Sequence, residues 1–243
     1  MTLTILGSNS EGNGYILHND TEALVLECGM RFSQVQKALN FNTSKLVAAL
    51  ITHEHGDHSK YISEFEKRGI AIHASAGTFE MLNRNSKNIL QHGVSKKIGN
   101  FTIIPFNVKH DVKEPIGFFI HHAEMGNVVF ATDTYYLPFT FENVNHWMIE
   151  CNYRKDILDK NCPAGSFKKV LRDRTLESHM SYHTCLTALK ANDLSQTINI
   201  VLIHLSDGNS NAREFKEGIQ LETGKSVTIA GKGVEVNFNK MPF

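Results

Sequence analysis

The sequence predicts a mixed α/β (α+β) fold in which sheets are covered by helices. Short apolar segments rich in Val and Ile alternate with helical patterns along nearly the whole chain, and strands dominate both halves. No period of roughly 20 to 50 residues repeats, which removes solenoids and propellers. With 243 residues, 41% hydrophobic and 21% charged, the chain can bury a large core. One domain over residues 1–243 is expected, because sheet-rich folds often reach this length undivided and no Pro-rich, Ser-rich or charged linker interrupts it.

Taken in order, the first strands are Leu3 to Leu6, Gly14 to His18 and Glu22 to Cys28. The run Gly7-Ser8-Asn9-Ser10-Glu11-Gly12-Asn13-Gly14 between the first two is so rich in small polar residues that a tight loop is expected. Phe32, Val35 and Leu39 share a helix face, strand Leu46 to Thr52 follows, and Tyr61, Ile62 and Phe65 mark another helix. Then come strand Ile70 to His73, helix Thr78 to Arg84, and strands Phe101 to Phe106, Ile116 to His121, Val128 to Thr132 and Trp147 to Cys151. Three helices are expected after that: one presenting Phe167, Val170 and Leu171, one with Cys185, Leu186 and Leu189 behind a Ser181 N-cap, and one with Ala212, Phe215 and Ile219. Strand Ile198 to His204 and a terminal hairpin, Val227 to Ile229 with Val234 to Phe238, complete the chain.

Several function classes are excluded early. The start, Met-Thr-Leu-Thr-Ile-Leu-Gly, has no basic region or long apolar run, and no stretch approaches the roughly 20 apolar residues of a membrane span, so a cytoplasmic protein without a membrane partner is expected. Cys28, Cys151, Cys162 and Cys185 are scattered without a CxxC pair, which argues against both a disulfide framework and a thiolate zinc site. Net charge is zero with neutral histidine, so a polyanionic partner must be bound by a local patch.

The thirteen histidines point to metal. Thr52-His53-Glu54-His55-Gly56-Asp57-His58 sets three imidazoles and a carboxylate in one turn after an apolar strand, and Gly56 permits the turn to be sharp. Imidazole and carboxylate are the ligands that zinc, manganese and iron accept. One local cluster cannot complete two coordination shells. His110, Asp133 and His204, each closing an apolar strand, supply further ligands of the right type; singly, each would more often be structural.

His-X-His-X-Asp-His followed by His, Asp and His at strand ends resembles the metallo-β-lactamase superfamily. The resemblance runs from the Gly7-Ser8 loop to the terminal strands and implies a four-layer αββα sandwich with two divalent ions at the sheet edges. It implies that His53, His55 and His110 hold one ion, Asp57, His58 and His204 the other, and that Asp133 bridges them. Zinc, manganese and iron all occur in the family, and ligand types alone do not choose among them. Leu26-Glu27-Cys28-Gly29 departs from the usual pattern by placing Glu27 where an aspartate is common. Glu27 is expected to orient a ligand or loop from behind the metals.

Smaller motifs bear on the reaction. Gly-Ser-Asn-Ser-Glu-Gly-Asn, the run His110 to Gly117, Ala131-Thr132-Asp133, Ile149-Glu150-Cys151-Asn152, Ser178-His179-Met180-Ser181 and His204-Leu205-Ser206 together resemble the WalJ/YycJ exonuclease subgroup. That resemblance implies 5′ to 3′ hydrolysis of DNA, with metal-bound hydroxide as the nucleophile. Asp57, within the cluster, and His179, outside it, are the catalytic candidates. His179 would stabilise the phosphoryl oxygen or protonate the leaving group, against the alternative of a packed neighbour of the helix cap. Lys168, Lys169 and Arg172 are candidates for DNA contact, although such a run often forms a merely solvated face. Amides and side chains of Ser8, Asn9, Ser10 and Asn13 are candidates for phosphate binding, or simple turn formers.

The competing readings are a hydrolase of small esters, thioesters or lactones and a metal-binding scaffold without turnover. No glyoxalase-type helical domain follows, the export signal of a β-lactamase is missing, and so is the long insert of RNA-processing nucleases. A flavodiiron reductase would want a different His-X-Glu run and a flavin domain. Ligand-type residues at all seven positions argue against the scaffold.

Overall fold

Alternation of side chains along each strand distributes the apolar residues of this protein over three layers. The computed structural model describes residues 1–161 and 169–241. Its first half contains β1 (Thr2–Asn9), β2 (Gly12–His18), β3 (Ala23–Leu26), α1 (Phe32–Ala38), β4 (Leu46–Leu50), α2 (Gly56–Ser59), α3 (Ile62–Glu66), β5 (Ile72–His73), α4 (Ala76–Met81), β6 (Lys96–Ile98) and β7 (Phe101–Asn107). The rest comprises β8 (Ile116–His122), β9 (Gly126–Ala131), β10 (Val144–Glu150), α5 (Lys155–Asn161), α6 (Lys169–Ser178), α7 (Tyr182–Lys190), β11 (Asn199–Ile203), α8 (Ala212–Thr223), β12 (Ser226–Ile229) and β13 (Glu235–Asn237).

The strands form two sheets, ordered β13-β1-β2-β3-β4-β5 and β12-β11-β10-β9-β8-β7-β6. Leu3, Ile5, Tyr15, Leu24 and Leu26 of the first face Phe118, Phe130, Met148 and Val201 of the second in one buried cluster. Residues of opposite parity point outward. Val25 and Ala49 pack under Phe32, Val35 and Phe65 of α1 and α3, whereas Val129, Trp147 and Ile149 pack under Cys185, Leu189, Phe215 and Ile219 of α7 and α8. The result is a four-layer αββα sandwich, and burial on both faces explains why the central strands read as near-continuous apolar runs.

Strand direction positions the site. β3 runs parallel to β4, and β9, β10, β11 and β12 run parallel to one another. β7 pairs antiparallel with β8 and β8 with β9, so β7 shares the direction of β9. The carboxyl ends of these strands therefore open on common edges, where ligands of α/β sheets are generally held.

Four features differ from the sequence expectations. The Gly7 to Gly14 run is mostly strand: Gly7 pairs with Gly14, Ser8 with Asn13 and Asn9 with Gly12. Its small residues serve close packing, since a Cβ on Gly7 would stand 2.8 Å from Met30 Sδ. The terminal hairpin does not form, because β12 joins β11 in one sheet and β13 joins β1 in the other. β6 and α5 have no counterpart in the sequence reading; α5 buries only Leu158 and so carries little apolar periodicity. Val170, expected on a buried helix face, is 79% exposed, and Phe167 and Lys168 lie outside the described residues.

Candidate metal centre

Polypeptide leaving the strand ends is forced into unusual backbone conformations. Glu27 after β3, Asp133 after β9 and His204 after β11 have φ of 68°, 49° and 54°. Left-handed backbone is costly for residues with a Cβ and persists where surrounding structure imposes it, commonly at functional sites. Here each such turn sends a side chain toward the same edge.

The structure gathers His53, His55, His110 and Asp133 into one donor set and Asp57, His58, Asp133 and His204 into another. Asp133 Oδ2 belongs to both: it lies 3.7 Å from His53 Nε2, 3.7 Å from His110 Nε2 and 3.3 Å from His58 Nε2. Asp133 Oδ1 faces His204 Nε2 at 3.6 Å, and Asp57 Oδ2 stands 3.2 Å from His58 Nε2 and 3.3 Å from His204 Nε2. Zinc bonds of about 2.0–2.1 Å in a tetrahedron imply donor separations of about 3.3–3.4 Å, close to these spacings. His53 Nε2 is buried without a hydrogen-bond partner, as suits a nitrogen whose lone pair serves a cation. The residues present thus fit divalent metal.

Protons are arranged to suit that task. His110 Nδ1 lies 3.0 Å from the Ser178 carbonyl, which can only accept, so Nδ1 carries the proton and Nε2 offers its lone pair. Burial pushes the His110 and His53 imidazoles below their ordinary range, and the neighbouring His58 adds to this at His53, which favours the neutral form that binds a metal. At His58 and His204 burial opposes charge most strongly, but the surrounding carboxylates together outweigh it, Asp133 and Glu27 with Asp57 at His58 and Asp133, Asp57 and Glu150 at His204, which is pushed up to about 10. Asp57 and Asp133, despite burial, are held well below the usual carboxylate range by His204 and His58. The carboxylates of this edge draw positive charge to it.

A profile of the beta-lactamase superfamily domain matches residues 24–205, which include every one of these residues. The chain belongs to that superfamily. It is 28% identical to "Exodeoxyribonuclease WalJ" of Streptococcus pneumoniae over 97% of this chain and 91% of the relative. It is 24% identical to "Exodeoxyribonuclease YycJ" of Bacillus anthracis over 95% and 90%. Among solved structures, the metallo-β-lactamase fold protein YhfI of Bacillus subtilis superimposes with a TM-score of 0.70 at 18% identity, covering 97% of this chain and 99% of that one. The protein is a metal-dependent hydrolase of the metallo-β-lactamase fold. Among the described residues no helix is long and apolar enough to cross a membrane.

Around the donor sets of this superfamily member lies a shell of orienting groups. Glu27 Oε1 is 3.5 Å from His58 Nδ1, and the Glu27 carboxylate accepts from the Thr52 amide at 3.3 Å. Asn13 Nδ2 donates to Asp57 Oδ2 at 3.1 Å, and the His204 amide donates to Ser8 Oγ at 2.9 Å. Asn13 and Ser8 therefore face the ligands from behind. Asn9 accepts from the Glu11 amide within the turn, and Ser10 alone of these four lines the cleft of about 360 Å³ in front of the ligands.

Two groups to which the sequence reading gave no role complete the site. Glu150, fully buried at the end of β10, accepts from the amides of Thr134 at 2.9 Å and Met180 at 3.2 Å. Its Oε1 lies 2.7 Å from His179 Nδ1 and 3.5 Å from His204 Nδ1. Asn152 Nδ2 donates to the His204 carbonyl at 2.8 Å. A carboxylate closing the wholly apolar stretch Trp147-Met148-Ile149 was the available signal for Glu150. His179 lines the cleft and stacks on His204 at 5.3 Å, and although burial opposes its charge, Glu150 holds its imidazole above the ordinary value. Ser181 caps α7 by accepting from the Thr184 amide, which fixes the turn that carries His179.

The expected basic surface is divided. Arg172 is engaged by Asp159 at 2.8 Å and Asp173 at 3.0 Å, while Arg174, paired with Asp111 at 2.9 Å, lines the cleft. Lys169 begins α6, and Lys168 lies outside the described residues.

Proposed function

We propose that this chain is a cytoplasmic dinuclear-metal phosphodiesterase acting on DNA, as an exonuclease of 5′ to 3′ polarity. The observation that carries the reading is the shared Asp133 carboxylate between two ligand sets, in a cleft whose wall presents a carboxylate-held imidazole, His179. His53, His55, His110 and Asp133 would hold one zinc or manganese ion, or iron, and Asp57, His58, His204 and Asp133 the second. Such a pair supplies hydroxide at neutral pH and neutralises a phosphodiester.

The remaining work falls to the protein. Asp57 orients the nucleophile's side of the cleft and is itself set by Asn13. His179 shares its Nδ1 proton with Glu150, which leaves Nε2 as the atom available to the leaving oxygen; protonated there, it donates to the departing alkoxide. Similarity to two proteins named exodeoxyribonucleases supports DNA as the substrate. The small cleft, about 360 Å³, is the feature that a small-molecule esterase or thioesterase would share.

Metal-loaded protein incubated with end-labelled single- and double-stranded DNA and RNA, beside a thioester panel, separates these readings. Metal-dependent release of nucleotides from the 5′ end is expected. Thioester hydrolysis without nucleic-acid cleavage would sink the nuclease reading.

A further inference from the structure

The residues immediately after Asp133 place two aromatic rings in solvent. Tyr135 is 42% and Tyr136 53% exposed, and Phe41 is the other exposed Phe, Tyr or Trp among the described residues. Exposing large rings forfeits burial, so a pair beside a metal-ligand carboxylate calls for an explanation. The turn that carries them is held in place. The Thr134 amide donates to Glu150, Thr134 Oγ1 donates to the Tyr136 carbonyl at 2.7 Å, the Lys109 amide donates to Thr134 Oγ1 at 3.0 Å, and the Tyr135 amide donates to the Lys109 carbonyl at 3.3 Å.

Tyr135 walls a hollow of about 680 Å³ together with Lys109, His110, Asp111 and Glu177, and His110 also lines the metal cleft. The two spaces thus share one wall residue. The metal cleft is at the small end of ligand pockets, so a polymer whose phosphodiester sits there must continue outside it. Asp111 is neutralised by Arg174, and Lys109 pairs with no carboxylate among the described residues, so Lys109 and Glu177 leave the hollow near neutral. Its recognition chemistry is that of a ring face rather than of a phosphate.

We infer that the hollow beside the metal cleft is a nucleotide subsite, in which Tyr135 stacks on the base adjoining the phosphodiester that the metal-loaded cleft would take. This subsite rests on the nuclease reading above. Stacking on a ring tolerates every base, because each has a π-face, and it requires that base to be unpaired; the subsite therefore takes a single-stranded or frayed end. Tyr136, on the same turn but outside the hollow, makes no such contact.

The test uses metal-loaded protein and short single-stranded oligonucleotides, some with an abasic residue beside the scissile phosphate. Tyr135→Ala is expected to raise KM by about 5- to 150-fold, the loss of one base–aromatic stack, while Tyr135→Phe restores it. The abasic substrate should cost the parent enzyme the same factor and cost Tyr135→Ala nothing further. Tyr136→Ala should leave KM unchanged. If Tyr135→Ala keeps the parent's KM, or the abasic penalty persists in it, the subsite is overturned and the nuclease reading stands. If the parent cleaves no nucleic acid, the nuclease reading falls and the subsite with it.

Discussion

Glu150 Oε1 lies 2.7 Å from His179 Nδ1, with the carboxylate fully buried and the imidazole 23% exposed at the cleft. A hydrogen bond of that length to a dry carboxylate fixes the ring's tautomer and direction. His179→Ala should retain both metals and bind DNA nearly as the parent does, while turnover falls by roughly 10² to 10⁴. A nitrophenyl phosphodiester, whose departing oxygen scarcely needs a proton, should suffer a smaller loss if His179 protonates the leaving group. Equal losses on both substrates would assign charge stabilisation instead, and unchanged turnover would leave His179 a packing residue.

Asp133 is the carboxylate common to both ligand sets, so Asp133→Ala should lower the metal content of both sites, whereas His204→Ala should chiefly empty the second. Glu27→Ala, removing the group behind His58, should weaken metal affinity by roughly 10- to 100-fold. Elemental analysis after dialysis against a graded chelator reads all three. Two full equivalents in Asp133→Ala would refute the shared-ligand assignment.

Arg174 lines the cleft and has the single carboxylate partner Asp111, whereas Arg172 lies outside the cleft lining and is bound by two aspartates, so the two arginines should differ in their share of DNA binding. Arg174→Ala is expected to reduce the slope of log affinity against log salt by about one, the loss of one phosphate contact, and Arg172→Ala to leave it. Fluorescence anisotropy at several salt concentrations makes the comparison; equal slopes in both variants and the parent would place the DNA path elsewhere.

Acid should unfold this protein partly through two histidines outside the candidate ligand sets. Burial lowers His146, stacked on Phe238 at 4.2 Å, to about 4, and lowers His73 to about 4 as well. A histidine whose folded pKa lies below its unfolded value stabilises the fold fully above the unfolded value, near 6.5, and that stability is lost as pH falls toward 4. Each contributes roughly 3 kcal/mol at most across that window. Urea midpoints measured from pH 7.5 to 4 should fall less steeply for His146→Phe, which keeps an aromatic ring on Phe238 without a titrating nitrogen. An identical slope would remove His146 as a source of acid lability.

The sequence by itself determined where the residues of metal-ligand type stand. Four candidate ligands stand in one short turn, His53 to His58, and three more close apolar strands at His110, Asp133 and His204, so local order and hydrophobic patterning were enough to name them as candidates. Most strands were legible for the same reason, since burial on both faces writes apolar runs. Only tertiary structure decided which side chains stand behind those ligands. Ser8 and Asn13 look like turn formers until pairing of β1 with β2 turns them toward His204 and Asp57, and Glu150 gains its role only when β9, β10 and β11 align in parallel and α7 brings His179 to it. The separation of β12 from β13 was likewise hidden, because each strand's partner lies far away in sequence and pairing across such distances leaves no local periodicity.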